Sequence, residues 1–164
     1  MATNHEHVHW LNYLDFLPGD PSVTTSFNAV SSGVGTGLSG LVIRSSTTGS
    51  NAQGGGNKVI EKGIEVPPGH LVKGVSVAYE LTSDKSFITQ IRIIQLQNPP
   101  GTALVLLDDA TPLTAKGPVI VASHAPAAPI DPNKGALSLS LRLDFGNIAD
   151  RIVLHAVGLK LAQR

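Results

Sequence analysis

Two runs of alternating apolar and polar side chains, separated by a short polar segment, constrain the fold most. In residues 71–81, apolar side chains recur at every second position, with Lys73 as an interruption, and the pattern resumes after residues 82–86. Side chains two residues apart share one face of a strand, so this period predicts β-strands and not helices. We expect two neighbouring antiparallel strands at the centre of a sheet, within residues 64–97.

Further strands follow from the same period. Residues 137–145 place leucines on one face and serine, arginine and aspartate on the other, which is typical of a strand with one buried and one wet face. Residues 151–161 carry apolar side chains on both faces, which indicates an interior strand or one covered by a partner. Pro-Pro-Gly turns at 67–69 and 99–101 end strands, because proline donates no hydrogen bond to a sheet.

Nine or ten strands with no helix are therefore expected. This predicts an all-β fold, an antiparallel β-sandwich of jelly-roll type, with a closed β-barrel as the alternative. The 164 residues are long enough for one sizeable core, so we expect one domain spanning 1–164. Residues 1–16 form an N-terminal arm, and residues 45–57, rich in Gly and Ser, a mobile hairpin loop.

Composition excludes several classes of function. The chain has no cysteine, so it has no disulfide, thiol nucleophile or cysteine zinc site. Its formal net charge is zero and it has no cluster of Lys and Arg, so we expect neither a nucleic-acid nor a membrane partner. These features predict a cytoplasmic protein, with export by a leaderless route as the alternative.

The N-terminal arm carries the sharpest local signal. His5, His7 and His9 alternate, so on a strand they share one face and can present imidazoles to a single Zn, Ni or Cu ion. A solvated tail or an oligomer contact is the alternative explanation, and no other cofactor is expected. Trp10, Leu14 and Phe16 fall on the opposite face, where they are expected to anchor the arm to a core or to a neighbouring subunit.

Four other residues are candidates for ligand contact. Parity places His155 with Val153 and Val157 on an apolar face, either as a core histidine or as an acid or base inside a pocket of the sandwich. His124 lies in a proline-rich loop that can fold over a pocket mouth, and Gln90 and Arg92 share one strand face. The latter pair binds an anion or polar ligand if that face is concave, and is ordinary solvated surface if it is convex.

Two segments carry a resemblance to known proteins. Val66-Pro67-Pro68-Gly69 leads into an alternating strand, and residues 151–159 read RIVLHAVGL near the end of the chain. Together they resemble β-sandwich units of uncharacterised bacterial proteins and phage tail-fibre-like proteins. The resemblance spans about residues 59–161 and implies an oligomeric binding or structural module without carrying over catalytic residues.

Two functional hypotheses from different classes follow. The first is a non-catalytic binding or structural module that assembles as a homo-oligomer, with a trimer as one form. The second is a small enzyme or ligand carrier whose interior pocket uses His155 or the N-terminal histidines for acid–base or metal chemistry. A small molecule or a carbohydrate is the expected ligand class, although seven aromatic residues leave few for a stacking platform.

Overall fold

Two antiparallel sheets face each other across one shared apolar core. The computed structural model describes residues 5–28, 40–97 and 101–164. Its strands are β1 (Glu6–Trp10), β2 (Leu17–Pro18), β3 (Val23–Asn28), β4 (Gly40–Ser45), β5 (Val59–Ile64), β6 (His70–Leu81), β7 (Ser86–Gln97), β8 (Thr102–Asp109), β9 (Val119–Ala122), β10 (Gly135–Phe145) and β11 (Ile152–Gln163). Single 3₁₀ turns occur at Tyr13–Asp15 and Pro132–Lys134.

Sheet A has six strands and sheet B has five. Sheet A runs in the order β3-β4-β11-β6-β9, with β1 paired to the C-terminal half of β11, and sheet B runs β2-β5-β10-β7-β8. Among the described residues the strands form two separate sheets and not a closed barrel. The predicted all-β antiparallel sandwich is confirmed, and its arrangement is consistent with the jelly-roll type.

The core is built mainly from the strands with the clearest sequence patterns. On β10 the leucines and Phe145 point into the core, while the serines and Arg142 face outward, as the alternation predicts. On β11, five apolar side chains join the core, and Val153 is fully buried outside it. Other residues of the same chain therefore cover Val153, so its apolar side chain gives no reason to expect a partner at that position.

The prediction that residues 71–81 and 87–97 form neighbouring strands is wrong. β6 pairs with β11 and β9 in sheet A, whereas β7 pairs with β10 and β8 in sheet B. The polar segment between them is a corner that crosses from one sheet to the other. Its Thr82 side chain bonds to the backbone of Arg151, and Ser86 Oγ donates to Asp150 Oδ2 at 2.6 Å, so the corner joins the β10–β11 corner.

Bulges explain the errors in predicted side-chain direction. Lys160 pairs with Gly74 but Leu161 pairs with Val72, so Lys73 is an extra residue in β6. Val72 and Val75 consequently both reach the core, and Leu71 does not share their face. A second register shift lies between Leu154 and Ala156.

The segment between β4 and β5 is not a hairpin loop, because the two strands lie in different sheets. Gly49 exchanges backbone hydrogen bonds with Phe145 at 2.7 and 3.2 Å. The buried Lys58 ammonium donates to the carbonyl oxygens of Thr47, Thr48 and Gly49 at 2.6, 3.0 and 2.9 Å. The segment is therefore tied to the core at one end, and its mobility stays a prediction.

Some predictions fall on residues 1–4, 29–39 and 98–100, which lie outside the described part of the chain. They concern the start of the arm and most of the second Pro-Pro-Gly turn. Within the described ranges, no helix has the length and apolar character needed to span a membrane.

Candidate ligand-binding groove

An open groove of about 500 Å³ runs along one side of the sandwich, between β1 of sheet A and β5 of sheet B. Volumes of this size are typical of small-ligand sites. Most of its lining is polar: His9, Trp10, Leu11, Asn12, Asp15, Lys62, Gly63 and Glu65.

The groove exists because the chain crosses between the two sheets at this point. β1 pairs with β11 up to Trp10, and the Leu11 N–H donates to the Val157 carbonyl at 2.8 Å. Asn12 then caps the first 3₁₀ turn, its side chain accepting from the Leu14 N–H at 3.2 Å. Phe16 enters the core, and Leu17 pairs with Glu61 on β5. These contacts fix both walls of the groove.

Trp10 gives the groove an exposed aromatic surface. Its side chain is 52% exposed, and the chain has no other tryptophan. It pairs with Gly158, where an added Cβ would lie 2.9 Å from Trp10 Cε3 and would also collide with Val8. The indole thus packs over Gly158 on the outer face of β1, opposite to the face that carries His9. Trp10 therefore borders the groove, and about half of its surface remains available to a ligand.

Most of the remaining lining of the groove is polar. Lys62 Nζ lies 3.7 Å from Asp15 Oδ2, and the Asp15 side chain is 60% exposed. Glu65 and Asn12 add a carboxylate and an amide. An arrangement of exposed donors and acceptors beside an aromatic ring can hydrogen-bond hydroxyl groups while the ring packs against an apolar face.

The arm that carries Trp10 is anchored by charge. Glu6 accepts from Lys73 and Lys160, with Nζ–Oε distances of 2.9 Å in both pairs. Hydrogen bonds from Lys160 and Lys73 lower the pKa of Glu6 from 4.5 to about 2. Of the three predicted anchors, Phe16 is buried in the core, whereas Trp10 and Leu14 are exposed.

The predicted histidine series divides between two environments. His7 and His9 pair with Leu161 and Leu159, which places them on one face of β1, as predicted. His9 lines the groove, whereas the His7 ring meets the His70 ring. Within residues 5–28, 40–97 and 101–164, no three His, Cys, Asp or Glu side chains are gathered closely enough to hold a metal ion. The His5, His7 and His9 metal site stays a prediction.

Gln90 and Arg92 share the outer face of β7, away from the groove. Gln90 Nε2 donates to Asp108 Oδ1, and Arg92 Nη2 lies 3.2 Å from Asp108 Oδ2. Asp108 therefore neutralises the charge that an anionic ligand would need. Whether this face binds a polar ligand stays a prediction.

His124 sits on a separate surface beside β8. Its backbone N–H donates to Asp109 Oδ2 at 2.7 Å, and its Nδ1 lies 3.3 Å from Asp109 Oδ1. Burial of Asp109 opposes ionisation, but hydrogen bonds from His124 and Thr111 lower its pKa overall. Asp109 thus ties two loops together, and the His124 ring remains largely exposed.

His155 lies on the outer side of sheet A and not between the sheets. The register shift beside it breaks the parity that placed it with Val157, which is a core residue. Its Nε2 lies 3.6 Å from Glu80 Oε2, and both side chains are largely buried. In the described residues, apolar side chains fill the space between the sheets, so His155 does not line an interior pocket there. A catalytic role for His155 stays a prediction.

Sequence reasoning missed most of the groove. Asn12, Asp15, Lys62 and Glu65 come from two segments about fifty residues apart, and no local spacing links them. They meet because β2 pairs with β5, and a two-residue strand leaves no periodic signal. The single tryptophan beside the histidine series was the one available sign.

No family model matches the chain, and no curated protein matches it by sequence. Solved structures do match. A carbohydrate-binding module of family 36, in complex with calcium and xylotriose, has a TM-score of 0.50 at 8% identity, covering 93% of this chain and 98% of that one.

The second match is the CBM22-1–GH10 module pair of the Clostridium thermocellum xylanase 10B, complexed with xylohexaose. It has a TM-score of 0.55 at 10% identity, covering 93% of this chain and 27% of that one. At such low identity the two matches show the fold alone. They do not show the expected resemblance to tail-fibre-like units, which stays a prediction; what they show is that this chain has a β-sandwich fold shared with carbohydrate-binding modules.

Proposed function

We propose that this chain is a non-catalytic module that binds an uncharged oligosaccharide in the groove between β1 and β5. Trp10 would stack on the apolar C–H face of a sugar ring, because aromatic surface left in water gains free energy when it is covered. Asn12, Asp15, Lys62 and Glu65 would hydrogen-bond the hydroxyl groups.

The observation that carries the proposal is the half-exposed Trp10 beside a polar groove of about 500 Å³. The absence of a Cβ at Gly158 leaves room for the indole, and 52% of Trp10 stays in contact with water. Two structural neighbours add support, since their descriptions name xylotriose and xylohexaose as bound ligands. Because sequence identity to these neighbours is low, the type of sugar that this chain binds has to be measured and cannot be taken from theirs.

Calorimetric titration with xylohexaose, cellohexaose and mannohexaose tests the proposal. We expect one of these to bind the wild-type chain, and Trp10→Ala to weaken its binding about tenfold or more, as expected when a central aromatic contact is lost. Phe27→Ala is the matched control, because Phe27 is 53% exposed on β3 and does not line the groove. Absence of binding by the wild-type chain, or equal losses in both variants, would contradict the proposal.

Self-assembly as a homo-oligomer, with a trimer as one form, is a second proposal. Exposed apolar side chains on β7 and β8 favour it: Leu96, Leu104 and Val105. Among the described strands β8 pairs with β7 on one side only, and an edge strand of this kind can pair with another copy. Light scattering should show an oligomer that Val105→Lys converts to a monomer, and a wild-type monomer at micromolar concentration would contradict it.

A further inference from the structure

Histidines from distant parts of the sequence meet at the C-terminal end of β11. The ring centroids of His7 on β1 and His70 on β6 are 5.1 Å apart, with their planes at 83°. β11 lies between these two strands, and His7 pairs with Leu161 while His70 pairs with Gln163. The two rings therefore reach toward each other across the last residues of β11.

Their separation suits a shared metal ion. Nitrogen ligands lie about 2.0–2.1 Å from zinc, so two imidazoles at a tetrahedral angle have ring centroids about 5 Å apart. An ordinary edge-to-face ring contact has a similar distance, so the distance alone does not distinguish the two.

The protonation of His70 favours a ligand role. Its Nδ1 lies 3.0 Å from the Pro68 carbonyl oxygen, which can only accept a hydrogen bond. The neutral ring therefore carries its proton on Nδ1, and its Nε2 keeps a lone pair. Metal-binding histidines are commonly held this way, by a carbonyl group that fixes the tautomer and ring orientation.

His5 is placed to complete the set. The antiparallel register pairs Glu6 with Ala162, and one further step would put His5 opposite Gln163, the residue that pairs with His70. We propose that His7 and His70, joined by His5, bind one divalent transition-metal ion such as Zn²⁺ or Cu²⁺. His9 is not part of this site, because it lines the groove. The proposal is independent of oligosaccharide binding.

The rings of His7 and His70 are already in contact, and His5 would approach them when the ion binds. The ion would link β1 to β6 across β11, so metal should also raise the melting temperature of the chain. The sequence hypothesis of His5, His7 and His9 makes a different prediction, since it does not involve His70.

Calorimetry with ZnCl₂ and with CuCl₂, on protein freed of metal with EDTA, separates the two sets. We expect one ion per chain, with affinity about tenfold lower or more in His7→Ala, His70→Gln and His5→Ala, since even groups outside the ligand set change affinity by that factor. His9→Ala and His124→Ala should match the wild-type chain. Circular dichroism without metal checks that each variant is folded.

If His70→Gln binds the metal ion with wild-type affinity, the proposal is wrong and a site formed by His5, His7 and His9 is favoured. Loss of binding in His9→Ala would lead to the same conclusion. Light scattering during the titration gives a third check, because an ion that binds only between two copies would also contradict a site within one chain.

Discussion

Lys58 and Lys62 lie four residues apart and are used in opposite ways. Lys58 is fully buried, and its ammonium has all three donors engaged by carbonyl oxygens at 2.6–3.0 Å, with the Phe145 ring centroid 5.9 Å away. Lys62 lines the open groove with its side chain 13% exposed, and Asp15, mostly exposed, is 3.7 Å from its Nζ.

The comparison shows how the fold uses its polar groups. Burial lowers the pKa of Lys58, opposed by the charges of Asp144 and Asp20, so this cation is retained only because its partners surround it. That polar cluster is complete without a ligand and stabilises the crossing between the sheets. In the groove, Lys62 has one ion-pair partner at 3.7 Å and Asp15 is mostly exposed, so a ligand can replace the water around that carboxylate.

Lys58→Met should produce the largest effect. Methionine fills a similar volume but donates no hydrogen bonds, so three carbonyl groups lose their shared donor, and we expect unfolding free energy to fall by about 3 to 5 kcal/mol. Urea denaturation measures this. Lys62→Met is the matched control, with an expected loss of about 0.5 kcal/mol or less. Equal losses would show that the two lysines do not differ as described.

Gly158→Ala tests the glycine that supports Trp10. The added methyl group would lie 2.9 Å from Trp10 Cε3, so the indole must move, and we expect a cost of about 1 to 3 kcal/mol. Oligosaccharide affinity should fall along with stability. Gly54→Ala provides the control, because an added Cβ there meets nothing within 4 Å. Unchanged oligosaccharide affinity in Gly158→Ala would show that binding does not depend on the position of the indole.

Asp15→Asn and Glu65→Gln test the polar wall of the groove. Each change keeps the shape of the side chain and removes a charged acceptor, so we expect oligosaccharide affinity to fall roughly two- to tenfold with no change in melting temperature. Asp84→Asn, in the exposed β6–β7 corner, should leave affinity unchanged. A stability loss without an affinity loss would assign these carboxylates to folding instead.

Acid should release the arm before the wild-type core unfolds. The pKa of Glu6 is lowered in the folded chain, so its stabilising effect is full above the ordinary value of 4.5 and disappears as pH falls toward about 2. The protection factor of the β1 amides, the factor by which their exchange is slower than that of an unfolded chain at the same pH, should therefore fall over that window. In Glu6→Gln the protection factor of β1 should already be low at pH 6 and depend less on pH. An identical pH profile in both chains would contradict the role of Glu6.

How far the sequence predicts this molecule depends on whether the relevant contacts are local. The alternation in β10 reports the burial of single residues, so its strand and its buried face were predicted correctly. Partner choice is not local: nothing in residues 82–86 indicates that β7 joins the other sheet. The extra residue at Lys73 interrupts the apolar series in the sequence without showing that parity reverses there, and the one at His155 leaves no such mark.

The groove shows the same limit. His9 was among the predicted site residues, but its partners Lys62 and Glu65 come from β5 and the residues just after it. In the sequence, Lys58 is simply the residue that follows a Gly-rich segment. Its three carbonyl partners surround the ammonium only when that segment folds back on Phe145.

The central claim is that Trp10 and the groove bind an oligosaccharide, and the single tryptophan allows a direct test. Fluorescence of the wild-type chain would be followed during titration with the hexaose that binds most tightly in calorimetry. A saturating change in emission intensity and wavelength, with the same dissociation constant as calorimetry, is predicted, since covering the exposed indole alters its surroundings. Binding detected by calorimetry with no change in Trp10 emission would place the sugar elsewhere and contradict the account.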